Sequence, residues 1–328
     1  MKRARALVAL GAALTIAAGV AATATPAAAF PATPAAFLRA RAAASPQTPV
    51  APTPAGASPS TPAAPTPAAS APQTPTTPST VTPGAGTSSA DSAAVSSAIA
   101  AALAAPDRSP ADRALDAQRR PAELLAFFGI APGMKVAELG GGSGYTAELL
   151  ARVVGPQGRV YGQNSPLLLE RFAQKPWSER LAKPAMKNVV RLDRPLDDPF
   201  PPDVRDLDVV LLVLGYHDAY AQQVDVEAMN AAVFRALKPG GVYGIVDHSS
   251  VPGLGAEDAA RLHRIDELMV ILDVEDVGFE LDATADFLRN PEDTRDWSAS
   301  PADAGDKRGT SDRFVLKFVK PENAAAHP

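Results

Sequence analysis

Hydrophobic and polar positions alternate between two periods along the second two-thirds of the chain, and the switching points predict its elements. Residues 111–128 read as a helical lead-in, interrupted at Pro121, with Leu124, Leu125, Phe127 and Phe128 as its stripe. Residues 134–139 form a short strand-like run behind the turn signal Pro132-Gly133. A helix is predicted over 145–154, a strand over 159–162, one or two helical pieces over 167–182 and a strand over 188–192. Residues 207–214 read LDVVLLVL, continuously apolar after Asp208, as in a strand buried on both faces of a parallel sheet. A helix over 226–237 is expected to end in the turn Lys238-Pro239-Gly240-Gly241. Then come a strand over 242–246, a long helix over 257–277, a strand starting at 279–281, and a last strand over 314–318 at or near an edge. Strand and helix alternate with the spacing of βαβ units. The predicted fold class is therefore α/β, a doubly wound, mostly parallel sheet with helices on both faces. In such sheets ligands sit outside the carboxyl ends of the strands.

The first third follows other rules. Residues 42–90 contain no charged residue and 12 prolines, and residues 38–126 contain no aromatic ring. Such a stretch lacks the large side chains of a core, so residues 30–105 are expected to be a disordered Pro/Ala/Ser/Thr-rich tether, with 92–105 alanine-rich enough to be helical. Ahead of it, Lys2, Arg3 and Arg5 precede an apolar run over 6–22 and the triplet Ala27-Ala28-Ala29. That is the three-part pattern of a secretory signal peptide over residues 1–29. A retained membrane anchor is the alternative. Either outcome places the folded part, residues 106–328, outside the cytoplasm, periplasmic or secreted.

Composition then removes function classes. The 328-residue chain has no cysteine, which excludes disulfides, thiolate metal sites and cysteine nucleophiles. A formal charge of -5 gives no electrostatic reason to expect nucleic acid as a partner.

Candidate chemistry gathers at the predicted strand ends. Glu138-Leu139-Gly140-Gly141-Gly142-Ser143-Gly144 follows the first strand and opens a helix. Glycines allow a tight turn and close approach of a ligand to the backbone. No lysine and hydroxyl pair closes the loop as in a phosphate-binding loop, and the carboxylate of Glu138 suits a cationic or hydroxyl-bearing ligand. Three of the four histidines also lie near strand ends: His217 with Asp218, His248 with Asp247, and His263 with Arg264, Asp266 and Glu267 in the next predicted helix, where the spacing puts Asp266 and Glu267 on the face of His263. These groups could be a substrate pocket with a general base, or a divalent-metal site made from Asp247, His248 and His217, or hydrogen-bonding locks on loop backbone. His217 is the favoured base, with Asp247 and His248 orienting it or binding substrate, and no metal is assigned.

On these residues the chain resembles the class I S-adenosylmethionine-dependent methyltransferases. VAELGGGSGYTAELLARVVGPQGRVYGQN resembles their first motif, helix and second strand; LDVVLLVLGYHD and LKPGGVYGIVDHS resemble the fourth- and fifth-strand motifs; EDVGFEL resembles the turn into strand six. More narrowly, the YHD, DHS and HRIDE blocks resemble a group of bacterial exported methyltransferases. The resemblance implies a seven-stranded, Rossmann-like sheet with an antiparallel last strand, and S-adenosyl-L-methionine as cofactor. It implies cofactor contacts from Glu138, Gly140, Gly142, Gly144 and Tyr145, from Asn164 in place of the usual ribose-binding acid, and from Asp193 near the adenine. The function expected is methyl transfer to a small-molecule acceptor. A catalytically silent binding module of the same fold and an envelope-associated structural protein are the alternatives.

Overall fold

The computed structural model describes residues 89–323. The predicted signal peptide, most of the predicted tether and His327 lie outside the described residues. Among the described residues, no helix is long and apolar enough to cross a membrane.

Seven strands form one sheet in the order β3-β2-β1-β4-β5-β7-β6. They are β1 (Lys135–Leu139), β2 (Arg159–Asn164), β3 (Val189–Asp193), β4 (Leu207–Val213), β5 (Leu237–His248), β6 (Glu280–Ala285) and β7 (Arg313–Val319). The first five are parallel, and β7 runs antiparallel to both β5 and β6. This is the predicted doubly wound fold. The order reverses between β1 and β4, and the crevice at that switch point is where the topology puts a ligand.

Helices α1 (Ser89–Ala104), α2 (Pro110–Arg119), α3 (Pro121–Phe127) and α4 (Tyr145–Val154) are followed by α5 (Pro166–Leu168), α6 (Gln174–Leu181), α7 (Tyr216–Ala221), α8 (Val226–Ala236), α9 (Ala259–Leu262) and α10 (Glu267–Asp276). Local chemistry explains their starts. Ser109 caps α2 by accepting from the Asp112 amide, Asp225 caps α8 and Asp266 caps α10. Proline opens both α2 and α3, where its missing N–H costs nothing. One apolar cluster packs each face of the sheet. The first gathers Leu212, Met229, Val233 and Ile245 with Phe314, Leu316 and Phe318 of β7; the second gathers Leu125, Leu150, Val153, Trp177 and Leu211.

Three expectations change. The alanine-rich segment is α1, and its Ile99 and Ala102 are buried against α3 and α4, so the packed part reaches upstream of Pro106. Lys238-Pro239-Gly240-Gly241 is not a turn after α8; it lies inside β5, where the pairing with β4 shifts between Leu207 and Val209. The long helix expected over 257–277 is broken. Ile265 donates its amide to the His248 carbonyl and accepts from the Ser250 amide, a bridge to the end of β5 that a continuous helix could not make. His263 takes a left-handed backbone (φ 52°) just before that bridge, so it does not share a helical face with Asp266 and Glu267. The last strand, β7, lies near an edge as expected, one strand in from β6.

Candidate active site

The glycine bend between β1 and α4 is held from several sides. Gly140 N–H donates to Gln163 Oε1 (2.9 Å), Gly141 N–H to the Gln163 carbonyl (3.1 Å) and Gly142 N–H to Asn164 Oδ1 (2.7 Å). Asn164 Nδ2 returns a bond to the Gly142 carbonyl (3.1 Å), and Arg180 Nε donates to the Ser143 carbonyl (2.5 Å). The bend's donors are thus used internally, which leaves none of these three for a phosphate. Gly144 opens α4 at φ 81°, and a Cβ there would collide with the Trp177 ring.

Glu138 lies beneath this bend, 3% exposed. It accepts from the Thr146 side chain and the Ala147 amide, yet its Oε2 has no hydrogen-bond partner. Burial pushes its carboxyl up to about 7, against the opposing pull of Thr146 and Arg119. Arg119 stacks over the Tyr145 ring at 4.6 Å from its centre, and the Tyr145 hydroxyl donates to Asp116 (2.7 Å). Arg119 makes no ion pair among the described residues, although it feels the charge of Glu138. Arg313 enters from β7; burial, with Arg119 beside it, lowers it to about 10. Arg119, Arg313, Tyr145, Thr146 and Leu214 line a narrow cavity of about 20 Å³ at the switch point. Leu214 in this lining (φ 59°) and Arg120 next to Arg119 (φ 44°) hold left-handed backbones, a conformation that costs a non-glycine residue free energy.

At the ends of β4 and β5, His217 Nδ1 lies 2.7 Å from Asp247 Oδ1. Asp247 also accepts the amides of His217 (2.8 Å) and His248 (2.7 Å). Burial alone would lower His217; the Asp247 carboxylate more than offsets this and holds it above the usual histidine range. Burial would raise Asp247, but His217 keeps it low. His248 bonds Ser311 Oγ (2.7 Å), and burial pushes it down to about 3. Of the expected catalytic groups, the structure therefore brings His217, Asp247 and His248 together. The outward nitrogen of His217 does not meet open space: it lies 3.2 Å from His263 Nδ1.

The expected cofactor contacts divide. Tyr145 lines the cavity, whereas Glu138 lies behind Thr146, outside the lining, and Gly140, Gly142 and Gly144 shape the bend. Asn164 bonds Gly142 through both ends of its amide, and so locks the bend from the end of β2. Asp193 pairs with Arg191 Nε (2.7 Å) at the end of β3 and stands 44% exposed. Tyr216 is a core residue whose hydroxyl accepts from Asn230 Nδ2 (2.8 Å). Sequence reasoning missed Arg119 and Arg313. The pair Arg119-Arg120 ahead of Pro121 was a visible signal; nothing local marked Arg313, which reaches the cavity only through the antiparallel pairing of β7.

Residues 110–189 match the family described as Protein-L-isoaspartate(D-aspartate) O-methyltransferase. No curated protein sequence matches the chain. Among solved structures, a SAM-dependent methyltransferase from Aquifex aeolicus is similar at 19% identity and a TM-score of 0.46, covering 64% of this chain and 93% of that one. A SAM-dependent O-methyltransferase from Thermotoga maritima shows 18% identity and a TM-score of 0.41, covering 70% and 72%. Fibrillarin from Aeropyrum pernix, with natively bound S-adenosyl-L-methionine, shows 15% identity and a TM-score of 0.39, covering 58% and 68%.

Proposed function

We propose that this chain is an S-adenosyl-L-methionine-dependent methyltransferase acting on a small-molecule acceptor. The observation that carries the reading is the unpartnered oxygen of Glu138 beneath the glycine bend, within electrostatic reach of the unpaired Arg119. A buried carboxylate oxygen without a partner is costly unless a ligand completes it. An amino-acid head group offers an ammonium for Glu138 and a carboxylate for Arg119, and the cofactor's methionine end is such a group. When bound, the cofactor supplies a methyl group on a cationic sulfur. The family match supports the reading, because residues 110–189 contain Arg119, Glu138 and the whole bend. They stop short of His217, Asp247 and His263, so the match bears on the cofactor end alone.

The chain's residues divide the work accordingly. Glu138, Arg119 and Tyr145 bind and orient the cofactor, while the bend stays rigid through Gln163, Asn164 and Arg180. Asp218 and His263, the partly exposed members of the cluster around His217 and Asp247, meet the acceptor and receive the proton that a hydroxyl or amine must lose. The leader pattern of residues 1–29 extends the proposal to a protein working outside the cytoplasm.

A second reading is a silent binding module of the same fold. Both readings need the cavity of about 20 Å³ to widen, because small-molecule pockets measure roughly 300 Å³ or more. Calorimetry on the full chain decides. S-adenosylhomocysteine is expected to bind, and Arg119→Ala to weaken it by roughly tenfold or more, the loss of one charge-assisted contact. Methylthioadenosine, which lacks the amino-acid end, should bind both proteins equally. No heat at millimolar S-adenosylmethionine or S-adenosylhomocysteine would defeat the proposal, and binding without turnover across an acceptor screen would favour the silent module.

A further inference from the structure

One arrangement at the strand ends is left unexplained by hydrogen bonding. His217 Nε2 and His263 Nδ1 lie 3.2 Å apart, and Asp218 Oδ1 lies 3.6 Å from the first and 3.7 Å from the second. A proton shared by the two imidazoles accounts for one edge of this triangle. The other two edges are too long for hydrogen bonds, yet nearly equal. Among the described residues no lysine or arginine pairs with Asp218.

We propose that His217, Asp218 and His263 form a mononuclear site for a divalent transition-metal ion, zinc in the first place. The three donor atoms lie together as one potential ligand set. A point equidistant from all three lies about 2.0 Å from each, the length of zinc–imidazole and zinc–carboxylate bonds. Asp247 supplies the outer shell. It is fully buried, holds the Nδ1 edge of His217, and is itself fixed by two backbone amides. That contact keeps the proton on Nδ1 and leaves the Nε2 lone pair aimed at the other two donors, the carboxylate–histidine arrangement found behind metal ligands. His263 is delivered by its left-handed backbone, and the adjacent Arg264 is turned away into its ion pair with Asp293.

The donor set selects the class of ion. Two imidazoles and one carboxylate suit zinc and its neighbours, whereas magnesium and calcium prefer oxygen ligands. Three protein ligands leave a position open, as in catalytic zinc sites. The side chains of Asp218 and His263 are 37% and 33% exposed, so that position faces solvent. Its ligand is water or an oxygen of an incoming molecule. In a methyltransferase, that molecule is a hydroxyl-bearing acceptor whose proton the ion makes easier to lose. This role rests on the function proposed above; the metal site itself does not.

The test uses the untagged full chain, stripped with a chelator and titrated with Co²⁺ as a spectroscopic probe, then with Zn²⁺ in competition. One equivalent of Co²⁺ should bind, with visible bands of a four- or five-coordinate ion that Zn²⁺ abolishes. His263→Ala and Asp218→Asn alter partly exposed side chains, and each should remove the bands. Asp247→Asn should weaken binding by roughly 10- to 100-fold. Absence of stoichiometric binding, or unchanged bands in His263→Ala, overturns the proposal. S-adenosylhomocysteine titrated into the same metal-free samples reports the cofactor reading separately.

Discussion

The side-chain amide of Asn164 brackets Gly142, accepting from its N–H at 2.7 Å and donating to its carbonyl at 3.1 Å. Only a carboxamide can do both. Asn164→Asp keeps the acceptor, loses the donor and sets a carboxylate against a carbonyl oxygen in a buried place. It should lower stability by about 1–3 kcal/mol, read by urea unfolding. Unchanged stability would show that the bend does not depend on this lock.

Glu138 makes stability and ligand binding depend on pH in opposite senses. Its folded carboxyl titrates at about 7, above the ordinary 4.5. Between these values the folded state keeps a proton that the unfolded chain has lost, so this group's contribution falls as pH rises through that window. Glu138→Gln should remove the effect and be more stable than the native protein above pH 7, by up to about 3 kcal/mol. An ammonium-bearing ligand prefers the ionised form, so native affinity for S-adenosylhomocysteine should rise from pH 6 to pH 8 while the variant's stays flat. Parallel pH profiles for the two proteins would refute the assignment.

Arg264 and Asp293 form a fully buried ion pair (2.7 Å), with Arg264 also donating to the Ser249 and Trp297 carbonyls. Asp293→Ala leaves a guanidinium without its counter-charge. The expected loss is about 3–5 kcal/mol, measured by chemical denaturation. A loss below about 1 kcal/mol would mean that the carbonyls alone satisfy Arg264.

The strands were legible as short β-prone runs between turn or helix signals, and LDVVLLV announces a strand with two covered faces. The segment between β5 and β6 was not. No local signal separates a helix over 257–277 from two helices with a bridge between them, since the break is made by Ile265 pairing with His248 and Ser250 far upstream. At the site, Glu138 and the histidines stood out by type and position. That Asn164 also brackets the Gly142 backbone was not legible, because such a partner is invisible in a sequence.

The insertion of β7 between β5 and β6 has a consequence for biogenesis. Arg313, on the last of the seven strands to be synthesised, supplies one wall of the cavity, so a ribosome-bound chain lacking that strand has an open sheet edge and an unfinished pocket. Ligand recognition is thus reserved for a polypeptide that has passed this strand, and a truncation ahead of Arg313 should forfeit it altogether.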